Sequence, residues 1–257
     1  MIRANNHPGV EAAFLRYLDW AVPRRFYDVR VAGAERLANW DPAVPTLVIA
    51  NHSNWWDGFM AMLVTHRLMD RRFHVMMEER HLRRYRFFTR LGAFGVDRAH
   101  PRSARASLVH AAELMAQPST ALWIFPQGRL RPNDVRPLAF ETGAARLALR
   151  LERVRICPVA MRYEFLHEEK PQALILIGEP YLLSEGAREA GPRALSARME
   201  AEVSALLDEL NGAIRQETLD AFLPLVSGPM SFNRRLDAWR VRLGLMDPAE
   251  FDPRNGV

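Results

Sequence analysis

Two short apolar runs, Thr46–Ala50 and Ala121–Phe125, each stop abruptly at a polar loop, Asn51-His52-Ser53 after the first and Pro126-Gln127-Gly128 after the second. Runs this short and apolar suit strands buried on both faces better than helices. The pattern around them alternates. Gly58–Met69 reads as a helix, Phe73–Met77 and Ala93–Val96 as strands, and Ser103–Gln117 as a helix with a serine cap after Pro101. Phe140–Leu151 reads as a further helix, followed by strands at Arg155–Arg162 and Ala173–Gly178. This order predicts an α/β fold with a mixed, largely parallel central sheet flanked by helices.

The two ends read differently from the middle. Val10, Phe14, Leu18 and Val22 recur every four residues, which predicts an amphipathic helix over 10–22 stopped by Pro23. Tyr17 and Trp20 widen its apolar or interfacial face, for packing or for membrane contact. After Pro192, Leu195, Met199, Val203, Leu206, Leu210 and Ile214 mark one long helix with a core-facing stripe. Leu223-Pro224-Leu225-Val226-Ser227-Gly228-Pro229 breaks any helix. Beyond it, Phe232, Leu236, Trp239 and Leu243 form a second stripe flanked by Arg234, Arg235, Arg240 and Arg242. That is a candidate membrane-surface helix, or one that packs back on the body. The chain thus divides into an N-terminal amphipathic helix (1–27), a central domain (28–216) and a helical C-terminal extension (217–257).

Composition narrows the class. At 49% hydrophobic over 257 residues the chain can bury a full core, which excludes disorder. Its single cysteine, Cys157, excludes an internal disulfide framework. No apolar stretch approaches the roughly 18–20 residues of a membrane span, and Glu11, Arg16 and Asp19 interrupt any signal-peptide core. The expectation is a soluble or peripheral protein at the cytoplasmic face of a membrane. Residues 67–105 carry eleven arginines against four acidic residues, while the rest of the chain is near neutral. A basic block of this kind fits an anionic partner, whether phosphate, nucleic acid, an acidic protein or a lipid surface. Nothing resembles a helix-turn-helix, zinc finger or RNA-recognition signature, so nucleic acid is not expected.

Two clusters can carry chemistry, and both follow buried strands, where α/β proteins place their sites. The first is Asn51-His52-Ser53-Asn54-Trp55-Trp56-Asp57. On one helix His52 and Asp57 would lie about 140° apart, so they meet only if residues 51–54 turn sharply before a helix that starts at Asp57. A carboxylate on one imidazole nitrogen leaves the other free to act as a base. Taken alone, such a pair reads first as a satisfied structural histidine. The second cluster is Phe125-Pro126-Gln127-Gly128-Arg129-Leu130-Arg131, in which a glycine and two arginines suit a phosphate or carboxylate, or form a solvated basic turn.

Four blocks in order resemble the glycerolipid acyltransferase superfamily, the 1-acylglycerol-3-phosphate acyltransferase-like family, over roughly residues 46–162. Asn51, His52 and Asp57 match its N-H-x-x-x-x-D. Gly92 through Asp97 and Arg98 match its second block, Phe125, Pro126 and Gly128 its third, and Ile156-Cys157-Pro158-Val159 its fourth. The third block departs from F-P-E-G-T-R. Gln127 replaces the glutamate, Arg129-Leu130 replaces Thr-Arg, and Arg131 follows one residue later. Phe140-Glu141-Thr142-Gly143 is similar to the family's F-K-K-G without its lysines.

The resemblance makes 28–216 an acyltransferase domain. It implies an O-acyl transfer with His52 and Asp57 catalytic, and with Arg98, Gln127, Gly128, Arg129 and Arg131 binding the acceptor. Asn51, Ser53 and Pro158 would support them. The implied donor is acyl-CoA or an acyl carrier protein, with no metal and no other cofactor. The implied partners are a lipid acceptor, lysophosphatidate-like and of phospholipid synthesis, and a membrane surface. A non-phosphate lipid or glycolipid acceptor is the alternative, as is a non-catalytic member that binds lipid or acyl carrier. Backbone N–H groups near the start of the helix after Asp57 are the candidate oxyanion donors.

Overall fold

The computed structural model describes residues 1–38, 40–230 and 232–248. Helix α1 (Pro8–Arg25) leads into strand β1 (Asp28–Ala32), and β2 (Thr46–Ala50) into α2 (Asp57–Val64), which one π turn extends to Met69. Then come β3 (Arg72–Glu78), α3 (Glu79–Arg84), a 3-10 segment (Arg86–Leu91), β4 (Ala93–Val96) and α4 (Pro101–Met115). Strand β5 (Thr120–Ile124) and α5 (Gly143–Ala148) precede β6 (Arg155–Glu164), β7 (Gln172–Ile177) and β8 (Tyr181–Leu182). The short α6 (Glu185–Glu189), the long α7 (Gly191–Arg215), β9 (Leu223–Ser227) and α8 (Phe232–Arg242) complete the order.

The strands form one sheet in the order β4-β3-β5-β2-β6-β7-β1-β9, with β8 beside β6. Strands β4, β3, β5, β2 and β6 all run parallel, while β6–β7 and β1–β9 are antiparallel. The mixed, mostly parallel α/β sheet expected from the alternation is therefore present. Every residue of β2 and of β5 is buried, as their apolar runs require when helices cover both faces. Under one face lies a core with α4, α5 and α7, including Leu122, Leu147 and Val203. Under the other lies a core with α1 and α2, including Leu18, Met60 and Trp123. Trp123 is fully buried, and its indole N–H donates to Thr65 Oγ1 at 2.7 Å, so the largest side chain of the sheet leaves no buried donor unmet.

Four expectations need correction. Pro23 does not stop α1 but sits in its last turn, where its missing N–H removes a single bond. Helix α4 begins at Pro101 rather than behind a serine cap: proline is preformed for the first helical position, and His100 is the residue before it. The helix expected from Phe140 starts only at Gly143, because the N–H groups of Ala139 and Phe140 donate to the Glu200 carboxylate at 2.9 Å. The extension from 217 is not helical throughout, because Leu223–Ser227, within the segment expected to break any helix, forms β9 and pairs with β1. Pro224 is tolerated there because β9 is an edge strand. Helix α8 follows as expected, and residues 249–257 of the extension lie outside the described residues.

Candidate active site

Parallel pairing sets the carboxyl ends of β4, β5 and β2 on the same side of the sheet. Strand β2 lies between β5 and β6, with Ile49 opposite both Ile124 and Pro158. The loops that leave β2 and β5 are therefore neighbours, and they are bonded to each other. The His52 N–H donates to Gln127 Oε1 at 2.6 Å, and the Arg131 N–H donates to the His52 carbonyl at 2.8 Å. The imidazole stacks on Phe125, with ring centroids 4.6 Å apart.

Asn51 anchors the turn. Its amide donates to Asn133 Oδ1 and to the Met161 carbonyl, and its Oδ1 accepts the Met161 N–H, all at 2.8 Å. This buried side chain ties the end of β2 to β6 and to the loop after β5. The chain turns at Asn54–Trp56, a little later than the expected 51–54, and α2 begins at Asp57 as the five-residue spacing demanded. His52 Nδ1 and Asp57 Oδ2 then stand 2.8 Å apart.

Asp57 is completely buried and has four donors. Oδ2 accepts from the N–H groups of Ser53 (2.8 Å) and Asn54 (2.9 Å) besides facing His52 Nδ1, and Oδ1 accepts from the Tyr163 hydroxyl at 2.7 Å. A carboxylate held this way at Nδ1 fixes the imidazole tautomer and places the basic lone pair on Nε2. The His52 side chain is about a quarter exposed, 26%, and its Nε2 has no hydrogen bond among the described residues. Burial, reinforced by the Asp57 carboxylate, holds the Tyr163 phenol well above its ordinary range, so it stays a neutral donor. Ser53 and Asn54 aim their N–H groups at Asp57, and the Asp57 N–H donates to the Asn54 carbonyl at 3.2 Å.

The remaining expected residues are distributed unevenly. Arg98, exposed after β4, lies against Gly128: a Cβ built on Gly128 would fall 2.2 Å from its Nη1. Gly128 also has φ +64, so glycine serves both its backbone and the approach of the guanidinium. Arg129 is exposed, and Arg131 is half-buried, its buried Nε without a hydrogen bond among the described residues. Gln127 is buried, and its Oε1 is engaged by the His52 backbone. The Ser53 hydroxyl is buried without a hydrogen-bond partner among the described residues. Pro158 is a residue of β6 whose carbonyl accepts the Gly178 N–H at 2.9 Å. Among the described residues no three His, Cys, Asp or Glu side chains are grouped to hold a metal, and burial raises the Cys157 thiol far above its usual value.

Tyr163 and Asn133 were missed in the sequence. Tyr163 could have been found by stepping in twos along β6 from Val159 through Met161, which puts all three on one face. Asn133 sits in a loop and carries no such signal.

A family model for acyltransferases matches residues 28–162. No curated protein matches the chain. The match covers more than half of the sequence and includes both ends of the His52–Asp57 contact, so the chain belongs to the acyltransferase family.

Proposed function

We propose that the protein transfers a fatty acyl group from a thioester donor, acyl-CoA or acyl carrier protein, to a lipid hydroxyl, with a lysophosphatidate-like acceptor. The observation that carries this reading is the His52–Asp57 contact at 2.8 Å, with no hydrogen bond to Nε2 among the described residues. Nε2 takes the proton of the acceptor hydroxyl while Asp57 stabilises the imidazolium. The acceptor oxygen attacks the thioester carbonyl, and the thiolate leaves and takes up the proton from His52. No enzyme-bound acyl group is needed. Arg98 at Gly128, with Arg129 and Arg131, forms the cationic side of the site and supports an acceptor that bears a phosphate.

A non-phosphate acceptor is the second reading, favoured by Gln127: it is uncharged, and its oxygen is turned to the His52 N–H. A binder without activity would have no use for four donors on Asp57. The test is acyl transfer from acyl-CoA and from acyl carrier protein to a panel of lysophospholipids and non-phosphate lipid alcohols. Transfer to a lysophosphatidate supports the first reading, transfer to non-phosphate alcohols alone supports the second, and transfer to none contradicts both.

A further inference from the structure

Five large aromatic side chains are exposed on one connected surface: Tyr17 and Trp20 on α1, Trp55 in the loop between His52 and Asp57, and Tyr85 and Phe87 around the 3-10 segment. They are joined through half-buried rings. Phe14 stands 5.5 Å from Tyr17, 5.7 Å from Phe87 and 5.6 Å from Phe59, and Phe59 stands 4.8 Å from Trp55. Phe88 links Tyr85 and Phe87 to Phe59 at about 6 Å. Isolated exposed rings need no explanation, but a contiguous set that begins at the catalytic loop does.

The charge beside these rings that has no ion-pair partner among the described residues is positive. Many arginines of the 67–105 block are engaged by the body: Arg71 is buried against the carbonyls of Val44 and Asp41, while Arg67, Arg80 and Arg83 pair with Asp19, Glu78 and Glu79. Arg84, Arg86 and Arg90 are exposed and have no acidic partner among the described residues. Arg84 lies over the Tyr85 ring at 5.4 Å and Arg24 over Trp20 at 4.2 Å. Arg86 and Arg90 line an open cavity of about 580 Å³ with Arg3 and Phe87.

We propose that this aromatic surface, with Arg84, Arg86 and Arg90, docks on an anionic lipid bilayer and brings the mouth of the His52 site to the headgroup level. Tyrosine and tryptophan settle where an apolar body and a polar tip are both accommodated, which is the bilayer interface. Guanidiniums with no acidic partner among the described residues complete the match to an anionic leaflet. An acidic carrier protein would be met by the same arginines, but it does not account for five exposed rings spread over three segments. Among the described residues no helix is long and apolar enough to cross a membrane, so the contact is with the surface. The inference concerns where the proposed lipid substrate is met, and so rests on the acyl-transfer reading for its purpose though not for its test.

The test is flotation of the full chain with vesicles of phosphatidylcholine alone and of phosphatidylcholine mixed with phosphatidylglycerol. The protein is expected to float with the anionic vesicles, with a blue shift of tryptophan emission. Each basic residue near such a surface contributes roughly five-fold in partition, so Arg84→Glu/Arg86→Glu/Arg90→Glu is expected to lose about a hundred-fold or more. Tyr17→Ser/Trp20→Ser is expected to lose the vesicles while still acylating a short-chain, water-soluble acceptor, which confirms its fold. His52→Ala is expected to float like the parent and transfer nothing, so failure of the docking and failure of the chemistry are told apart. Equal flotation of the parent and both surface variants overturns the proposal. So does a parent that ignores vesicles but retains an acyl carrier protein.

Discussion

Two buried aspartates, Asp57 at the start of α2 and Asp28 at the start of β1, are in opposite condition. Asp57 follows β2, is fully buried and has four donors on its two oxygens. Asp28 opens β1, is nearly as buried, and has an ion contact to Arg30 at 3.2 Å, while its Oδ1 has no hydrogen bond among the described residues. Burial pushes the Asp28 carboxyl up to about 6, despite Arg30, with Glu168 adding to the rise. Burial alone therefore does not make a carboxylate a useful partner for a base. The donors around it do, and at Asp57 they come from three places: the turn at 53–54, the imidazole and β6.

The comparison can be broken from either side. The largest effect is expected from Asp57→Asn, which removes the charge that stabilises the imidazolium and scrambles the tautomer: kcat should fall about 10³- to 10⁴-fold. A variant within ten-fold of the parent would make Asp57 merely structural. Tyr163→Phe deletes one donor to that carboxylate and is expected to lower kcat roughly ten-fold, with the thioester KM little changed. The readout that marks a positioning role is this split, a lower kcat at an unchanged KM, with the melting temperature of the parent. An unchanged kcat with a lower melting temperature would reduce Tyr163 to packing.

Asp28 gives the smallest effect, and in stability rather than rate. Its folded carboxyl titrates near 6 against 3.8 when unfolded, so the folded state holds the proton more tightly. The stability this lends is full below about pH 3.8 and is lost as pH rises through about 6. Asp28→Asn should therefore stabilise the protein by ~2 kcal/mol at pH 7.5 and by little at pH 4, measured by thermal or urea unfolding. Destabilisation at pH 7.5 would mean that the Arg30 contact outweighs the burial. His74 runs the other way: burial lowers it to about 4, so its contribution is present above about 6.5 and is lost as pH falls towards 4.

What the sequence revealed follows from which physics is local. Strands β2 and β5 were legible because a strand covered on both faces must be continuously apolar. The His52–Asp57 contact was legible because only one local geometry, a turn ending at the first helical residue, lets residues five apart meet. Strand β1 was not, since Arg30 interrupts its apolar pattern, and β9 was not, since Pro224 reads as a breaker until an edge position excuses it. The arginine block was visible as charge, but which guanidiniums are engaged depends on partners far along the chain, as with Arg67 and Asp19. The Gln127–His52 bond and the Tyr163 donor join segments 75 and 106 residues apart, and nothing in local spacing specifies them.

The most direct measurement of the central claim is acyl transfer from a thioester to a lipid hydroxyl by the parent and by His52→Ala, with melting temperature and vesicle flotation as controls. The account predicts loss of 10²- to 10⁴-fold in kcat with unchanged melting and flotation. A His52→Ala protein that melts as the parent and transfers acyl groups at the parental rate would contradict it.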